Sequence, residues 1–443
     1  MKTSYRILGI FASCLLLSSC LDTRPEDSVS SDGIIVDLKS AEVVLNGAYD
    51  AMQTCESYAL ITLNYASDNV VLYSSQAVIV PQFKAAGTSG WDPTAGGGYN
   101  SYYSAINIIN TLIADLPGIS EESAKKDNLL GQGYFLRALA YFDLSRTYGG
   151  VPLILEPSES PDNGAGKKKS SYSEVLSQVR SDLEKAVTLF DESISDKGRA
   201  SIWAAYALLA RVALYQEDYA TAENYSSKVI DSGKFSLCEE ISDFFENAKS
   251  EESIFEMVFS SADKLPFYTY YLPSDKGGRL DYIPNPELSK ALLDPSKGGK
   301  RSQLINDKGD GVYVITQYAK QDGSSSIQTL RLAEQYLIRA EARLKGSSDT
   351  EGAVSDINFI RERAALSPIG KGGKEELLLA LEEERRFELA FDGHRFSDII
   401  RTGRAGAVFA VHDPVFSNPD YWVLPFPNSV IQADPDLEQN PGY

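Results

Sequence analysis

Residues 206–230 read YALLARVALYQEDYATAENYSSKVI, and their spacing predicts two short helices joined by a tight turn. Apolar residues recur every three or four positions in both halves of the stretch, which is the period of an α-helix with one buried face. The polar residues 216–218 separate the two halves. Two helices can nest closely where small residues occupy their crossing, and Ala210 and Ala222 supply such residues. The stretch therefore predicts a nested helical hairpin.

This hairpin resembles a tetratricopeptide (TPR) repeat. Leu209 and Ala210 stand where that repeat has a leucine and a small residue, and Ala222 fits its second helix. Similar apolar stripes recur along much of the chain, in looser copies of the same pattern. We therefore predict a mainly α fold with few short strands, built on a TPR-like scaffold of helical hairpins at about 101–233 and 329–404. Helical hairpins unrelated to the TPR repeat are the alternative.

Two long stretches break the helical pattern. Residues 58–100 and 236–328 are rich in glycine and proline, and the second also contains many tyrosines and short β-like runs such as 312–315. Long irregular segments on a rigid scaffold often carry function. We predict that these two stretches form an irregular, loop-rich lobe that binds a ligand.

The composition excludes several classes of function. The chain has 443 residues and a formal charge of −20, and so acidic a surface repels a phosphate backbone, which argues against a nucleic-acid partner. Its two histidines exclude a His-rich metal centre, so we assign no metal-binding residues and predict no cofactor, while a structural cation stays open. Beyond the first 20 residues there are only Cys55 and Cys238, so no disulfide framework is expected. Whether these two cysteines pair remains open at this level.

The N-terminus reads as a targeting signal. Lys2 and Arg6 precede an apolar run, residues 7–17, that is too short to span a membrane. The following Leu-Ser-Ser-Cys resembles a bacterial lipobox, which implies cleavage before Cys20 and acylation of its thiol. We therefore predict a lipoprotein signal peptide at 1–19, a flexible tether at 20–32 and an anchor in the outer membrane. An ordinary signal peptide with a chance cysteine is the alternative.

Four further segments, in order along the chain, resemble the SusD/RagB family of outer-membrane nutrient-binding lipoproteins. They are YFLRALAYFDLSRTYGGVPLI (134–154), LRLAEQYLIRAEARLKG (330–346), ALEEERRFELAFDGHRFSDIIRTGR (380–404) and YWVLPFPNSVIQADPDLEQNPGY (421–443). The resemblance implies a single SusD-like domain at 33–443, displayed at the cell surface. It also implies capture of an oligosaccharide or peptide and its delivery to a SusC-like TonB-dependent transporter. No catalysis is implied.

The family carries no fixed binding motif, so the ligand site is predicted from composition alone. We place it on one face built from the loops 64–100 and 262–285, which interrupt the scaffold and combine aromatic with polar side chains, as sugar recognition requires. The candidate contacts are Asp68, Asn69, Tyr73, Trp91, Tyr268, Tyr270, Tyr271, Arg279 and Tyr282. The alternative for each tyrosine is that it packs the lobe onto the helices.

Two other functions compete with ligand capture. A TPR-type assembly or scaffolding lipoprotein would act through protein contacts only. A lipid-anchored hydrolase would need a nucleophile, a metal cluster or an acid–base pair, and the sequence shows no recognisable set of these residues. We therefore predict that the protein is not an enzyme.

Overall fold

The computed structural model describes residues 33–74, 98–158, 167–194 and 196–443. Its first helix, α1 (Leu38–Ala66), is the longest of the described helices. Asp37 caps it: its carboxylate accepts the N–H of Ser40 at 2.7 Å, while the Ser40 hydroxyl accepts the N–H of Asp37 at 3.0 Å. The assignment of residues 58–66 to the irregular lobe is therefore wrong. This segment lacks glycine and proline and buries its apolar residues, so the helix continues through it.

The first half of the scaffold is a series of helices, each packed against the next one in the chain. After α1 these are α2 (Tyr99–Asp115), α3 (Ala124–Tyr148), α4 (Tyr172–Leu189), α5 (Ile202–Tyr215) and α6 (Tyr219–Asp231). Side-chain caps at their first turns, such as Ser171 with Glu174 at α4, satisfy N–H groups that the helix itself leaves without partners. Short connections between neighbours in sequence thus produce neighbours in space.

Helices α5 and α6 form the hairpin that the sequence predicts at 206–230. Ala210 and Ala222 are fully buried in a small cluster with Leu214, and Ile338 and Ala342 of a later helix complete it. Alanines at this crossing allow the helices to approach closely. The mainly α fold with helical hairpins is confirmed.

Between residues 232 and 331 the chain leaves the scaffold and forms the lobe. The lobe contains α7 (Asp243–Glu246), α8 (Phe267–Tyr271) and α9 (Pro286–Leu293), with strands β2 (Ser253–Met257), β3 (Tyr282–Pro284), β4 (Ile305–Gly309), β5 (Val312–Ile315) and β6 (Ile327–Arg331). Strand β1 (Val70–Leu72), which follows α1, pairs with β3. The other antiparallel pairs in the described chain are β2 with β6 and β4 with β5. These pairs confirm the prediction of few short strands.

The chain returns to the scaffold directly after β6. The remaining helices are α10 (Leu332–Ala342), α11 (Thr350–Arg363), α12 (Lys374–Glu388), α13 (Arg395–Arg401), α14 (Ala405–Val408) and α15 (Asn428–Ala433), and a π-helical turn at Arg343–Ser347 extends α10. Helix α10 packs against α6 as well as against α11 and α12. It therefore adds the second group of helices to the series that ends with α6. The lobe is therefore an insertion between two halves of one helical scaffold.

A buried cluster of charged side chains lies where the lobe joins the scaffold. Its members are Arg301, Arg331, Arg363, Glu252, Glu384 and Glu388, all nearly inaccessible to solvent. Arg331 donates to Glu252 and to Glu388, both at 2.7 Å. Because Glu252 belongs to the lobe and Glu388 ends α12, the cluster ties the two parts together. Cys55 and Cys238 are both buried free thiols, so they do not pair.

Candidate functional site

A short sheet brings the two predicted ligand loops side by side. Strand β1 lies in the loop 64–100 and β3 in the loop 262–285, and the two pair antiparallel. Beyond β1 the pairing continues, because the N–H of Tyr73 donates to the carbonyl of Asp281 at 2.8 Å. The described part of the first loop, residues 64–74, therefore lies beside the second loop.

The side chains of Asp68 and Asn69 are bonded to the scaffold and are not free at this sheet. The guanidinium of Arg395 contacts Asp68 at 2.8 Å and that of Arg386 contacts it at 2.9 Å. Burial alone would raise the pKa of Asp68, but Arg395 and Arg386 hold it below its ordinary value. Asn69 is fully buried, accepting from Arg386 at 3.0 Å and donating to the carbonyl of Ala390 at 2.9 Å. Their prediction as ligand contacts is wrong, because the scaffold already uses their polar atoms.

Two of the candidate tyrosines, Tyr271 and Tyr282, belong to the core, and Tyr270 is largely buried. Tyr271 is fully buried with its ring 5.5 Å from that of Phe267, and Tyr282 is 2% exposed with its ring 5.5 Å from that of Tyr65. Tyr270 is 8% exposed. In this conformation Tyr271 and Tyr282 present no free ring face, so their prediction as stacking platforms is corrected. Their rings instead pack the lobe against α1.

The other candidates are more accessible. Tyr73 is 49% exposed, and Tyr268 is half-buried. The guanidinium of Arg279 lies 5.6 Å from the ring centre of Tyr270 and pairs with Asp281 at 2.5 Å. Trp91 lies outside the described residues. The predicted face thus retains Tyr73, Tyr268, Arg279 and one edge of Tyr270 as groups that a ligand could reach.

Beside this face is a cleft of about 310 Å³ between α1 and the lobe. Gln53 on α1 connects the two walls, donating to the carbonyl of Val258 at 2.6 Å and to the carboxylate of Asp263 at 2.9 Å. From α1 the lining residues are Asp50, Gln53, Thr54, Ser57, Tyr58 and Ile61; from the lobe they are Phe259, Asp263, Lys264, Pro266, Phe267 and Tyr270. Tyr270 therefore links the predicted face to the cleft.

The cleft combines aromatic rings with groups that bind hydroxyls. Tyr58 offers apolar ring surface and Tyr270 one ring edge, and the carboxylates of Asp50 and Asp263 can accept hydrogen bonds from a ligand. Gly98, where the described chain resumes, lies against Tyr58: a Cβ there would stand 2.7 Å from the Cβ of Tyr58, and its φ is +78°. This position therefore requires glycine both for space and for conformation.

The α1 wall of the cleft is missing from the sequence prediction. Its residues occupy positions 50, 53, 54, 57, 58 and 61, which is one stripe of a helix. That stripe mixes acidic, amide, hydroxyl and aromatic side chains in a helix whose other face is apolar. Such a polar and aromatic stripe at helical spacing is the signal that could have identified the wall.

Two absences hold for the described part of the chain. No group of three or more His, Cys, Asp or Glu side chains there is arranged to hold a metal ion. No helix in the same residues is both long and apolar enough to cross a membrane. Cys20, the predicted acylation site, lies outside the described residues.

The fold defines a class of protein: a TPR-like helical scaffold with an inserted lobe, and a cleft between the two. Comparison with known proteins identifies the family. A family model described as "Starch-binding associating with outer membrane" matches residues 20–214, and the model of the SusD family matches residues 290–443. The chain belongs to the SusD/RagB family, a family of carbohydrate-binding proteins.

Individual relatives are distant in sequence, and their matches span most of both chains. SusD-like protein P38 of Formosa agariphila is 26% identical over 98% of this chain and 97% of its own length. The starch-binding protein SusD of Bacteroides thetaiotaomicron is 25% identical over 70% of this chain and 72% of its own length. A solved laminarin-binding SusD-like protein superposes with a TM-score of 0.77 at 24% identity, covering 92% of this chain and all of its own. At 24% identity, this last similarity shows a shared fold only.

Proposed function

We propose that the protein is a cell-surface lipoprotein that captures an oligosaccharide in the cleft between α1 and the lobe and delivers it to a TonB-dependent transporter. The observation that carries this proposal is the cleft itself, where the rings of Tyr58 and Tyr270 stand beside carboxylates, an amide and hydroxyls. Rings that stack on a sugar face, with polar groups around them, are how proteins commonly hold saccharides.

The charge of the cleft favours a neutral ligand. Asp50 and Asp263 line it against one cation, Lys264. Carboxylates accept hydrogen bonds from sugar hydroxyls but repel an anionic glycan. The starch-binding function of one relative, and the description of the matching family model, also concern a neutral glucan. We therefore place neutral oligosaccharides ahead of acidic ones and of peptides.

The anchor and the transporter are proposed on separate grounds. The family model begins its match at residue 20, the residue that the lipobox makes the first of the mature protein. Its description as associating with the outer membrane supports an anchor in that membrane. Delivery to a transporter rests on family membership, which the resemblance ties to a SusC-like partner.

We expect Tyr58→Ala to weaken binding of a neutral oligosaccharide about five- to tenfold, because the substitution removes one stacking ring from the cleft. The full-length protein in detergent is titrated by calorimetry with a panel of neutral glucans, acidic oligosaccharides and peptides. Tyr73→Ala is the matched control, since Tyr73 is exposed but does not line the cleft. Loss of binding with Tyr73→Ala and not with Tyr58→Ala would move the site to the loop edge, and binding of peptides alone would reject the glycan.

We expect metabolic labelling with an alkynyl fatty acid to mark the wild-type protein and to leave Cys20→Ala unmarked. The thiol of Cys20 is the predicted acylation site, and two or more acyl chains are needed for stable anchoring. Extraction of the labelled protein in mild detergent, followed by mass spectrometry, should also recover a large TonB-dependent transporter. A labelled Cys20→Ala variant would contradict the lipobox. Recovery of the free lipoprotein alone would favour a scaffold without a transporter.

A further inference from the structure

A second concave site lies on the scaffold, away from the cleft. It is a groove of about 360 Å³ between α12 and α13, closed at one end by the last turn of α10. The described residues that line it do not overlap with those of the cleft between α1 and the lobe. The groove therefore needs its own explanation.

The groove is basic in a strongly acidic protein. Six cationic side chains line it, against four acidic ones, whereas the whole chain carries a formal charge of −20. The cations are Lys345, Arg385, Arg386, Arg395, Arg401 and Arg404. A local positive surplus inside a concave surface attracts anions more strongly than the same charges on a flat surface, because the walls focus the field.

Each of the six cations also has an ion-pair partner within the protein, and Asp68, which pairs with Arg386 and Arg395, stands just outside the groove lining. Asp398 receives Arg385 and Arg401 at 2.8 Å each, and Arg401 also pairs with Glu341 at 2.7 Å. Burial alone would raise the pKa of Glu341, but Arg401 and Lys345 lower it to about 2. These pairs fix the arginines in place, so the groove is preorganised.

Several arginine N–H groups are left over. Arg386 contacts Asp68 and Asn69 through Nε and Nη2, and within the described chain its Nη1 has no hydrogen-bond partner. Burial, together with the nearby charge of Arg395, lowers the pKa of Arg386 below its ordinary value. Arg404 is 38% exposed and reaches Glu382 through Nε at 3.0 Å. Guanidinium groups with free N–H edges match the geometry of carboxylate and sulfate oxygens.

An apolar wall stands beside these donors. Leu378, Leu379 and Leu381 of α12 line the groove, and Leu379 is 52% exposed. A ligand that fits both features has a negatively charged oxygen group on an apolar body. An inorganic ion would leave the leucines uncovered.

From this arrangement we propose that the groove between α12 and α13 binds an organic oxyanion, a carboxylate or sulfate carried on a partly apolar body. The oxyanion would lie against the free N–H edges of Arg386 and Arg404, and its apolar body against Leu379. This site is separate from the glycan cleft and does not depend on the function proposed for it.

The test is a ligand-observed NMR titration of the full-length protein in detergent at constant ionic strength. The observed probes are benzoate and its neutral analogue benzyl alcohol, and sodium sulfate is tested as a competitor that displaces benzoate. We expect saturable binding of benzoate, no saturable binding of benzyl alcohol, and about tenfold weaker benzoate binding with Arg404→Gln. The matched control is Arg180→Gln, because Arg180 is similarly exposed and ion-paired, at 2.9 Å to Glu184, but lies on α4 outside the groove.

Each outcome decides one point. Benzoate binding that Arg404→Gln weakens and Arg180→Gln does not supports the site. If sulfate binds as tightly as benzoate and depends on Arg404 in the same way, the groove binds oxyanions, and the proposed contact with the leucines is wrong. Binding that is absent, or equal in both variants, overturns the proposal. Oligosaccharide binding to the same samples, measured in parallel, reports on the cleft independently.

Discussion

Glu388→Ala is expected to lower the free energy of unfolding by about 3–5 kcal/mol, the usual effect of removing one partner from a buried ion pair. Glu388 is inaccessible to solvent and pairs with Arg301 at 2.9 Å, with Arg331 at 2.7 Å and with Arg363. Without this carboxylate the three guanidiniums keep their burial and lose a shared counter-charge. Urea unfolding followed by circular dichroism measures the change.

An exposed ion pair provides the control. Glu351 and Lys371 pair at the surface with both side chains more than 70% exposed. Glu351→Ala should therefore change the stability by less than about 1 kcal/mol. A Glu388→Ala variant as stable as Glu351→Ala would show that the buried cluster contributes little and that the lobe is held by apolar contacts instead.

The same carboxylate makes stability depend on pH. Burial alone would raise the pKa of Glu388, but Arg363, Arg331 and Arg301 lower it well below its ordinary value. A group whose pKa is lower in the folded state stabilises the fold above its unfolded pKa, about 4.3 for Glu, and loses this contribution as the pH falls. Wild-type stability should therefore fall between pH 5 and 3 more steeply than that of Glu388→Gln.

The helical hairpins could be predicted because their signal is local. The alanines at the crossing of α5 and α6 are visible in the sequence as small residues within a helical period. Ion pairing could not be predicted in this way. Glu382 and Arg386 stand four positions apart on α12, a spacing that predicts an ion pair between them. In the structure Arg386 instead pairs with Asp68, and Glu382 pairs with Arg404 at 3.0 Å. Partners distant in sequence replace the local pair because tertiary packing brings them closer.

The candidate site was predicted in part. The two loops were identified from their glycine, proline and tyrosine content, and the pairing of β1 with β3 places them together. Composition does not distinguish a buried tyrosine from an exposed one, since both types suit an aromatic-rich lobe. Tyr271 is fully buried and Tyr73 is 49% exposed, although both were predicted from the same kind of composition. The opposite wall of the cleft lies on α1, whose polar stripe was outside the loops considered.

We expect Tyr271→Ala to lower the free energy of unfolding by about 3–5 kcal/mol, as large-to-small changes of buried aromatic residues do. Tyr271 is fully buried at the end of α8, and its ring packs edge-on against Phe267 at 5.5 Å. The substitution leaves a cavity beside Phe267, which lines the cleft between α1 and the lobe. Urea unfolding measures the loss, with Tyr73→Ala as a surface control expected within about 0.5 kcal/mol of the wild type.

This experiment also decides between two roles for Tyr271. If the tyrosine is a core residue, oligosaccharide affinity should fall with stability and return when Phe is placed at the same position, because Phe refills the cavity. If Tyr271→Ala stays within 1 kcal/mol of the wild type and still loses binding several-fold, the ring contacts the ligand directly. The lobe would then have to open in solution, since the ring of Tyr271 is covered in the structure described here. Recovery of both stability and affinity in Tyr271→Phe is the result that the buried position predicts.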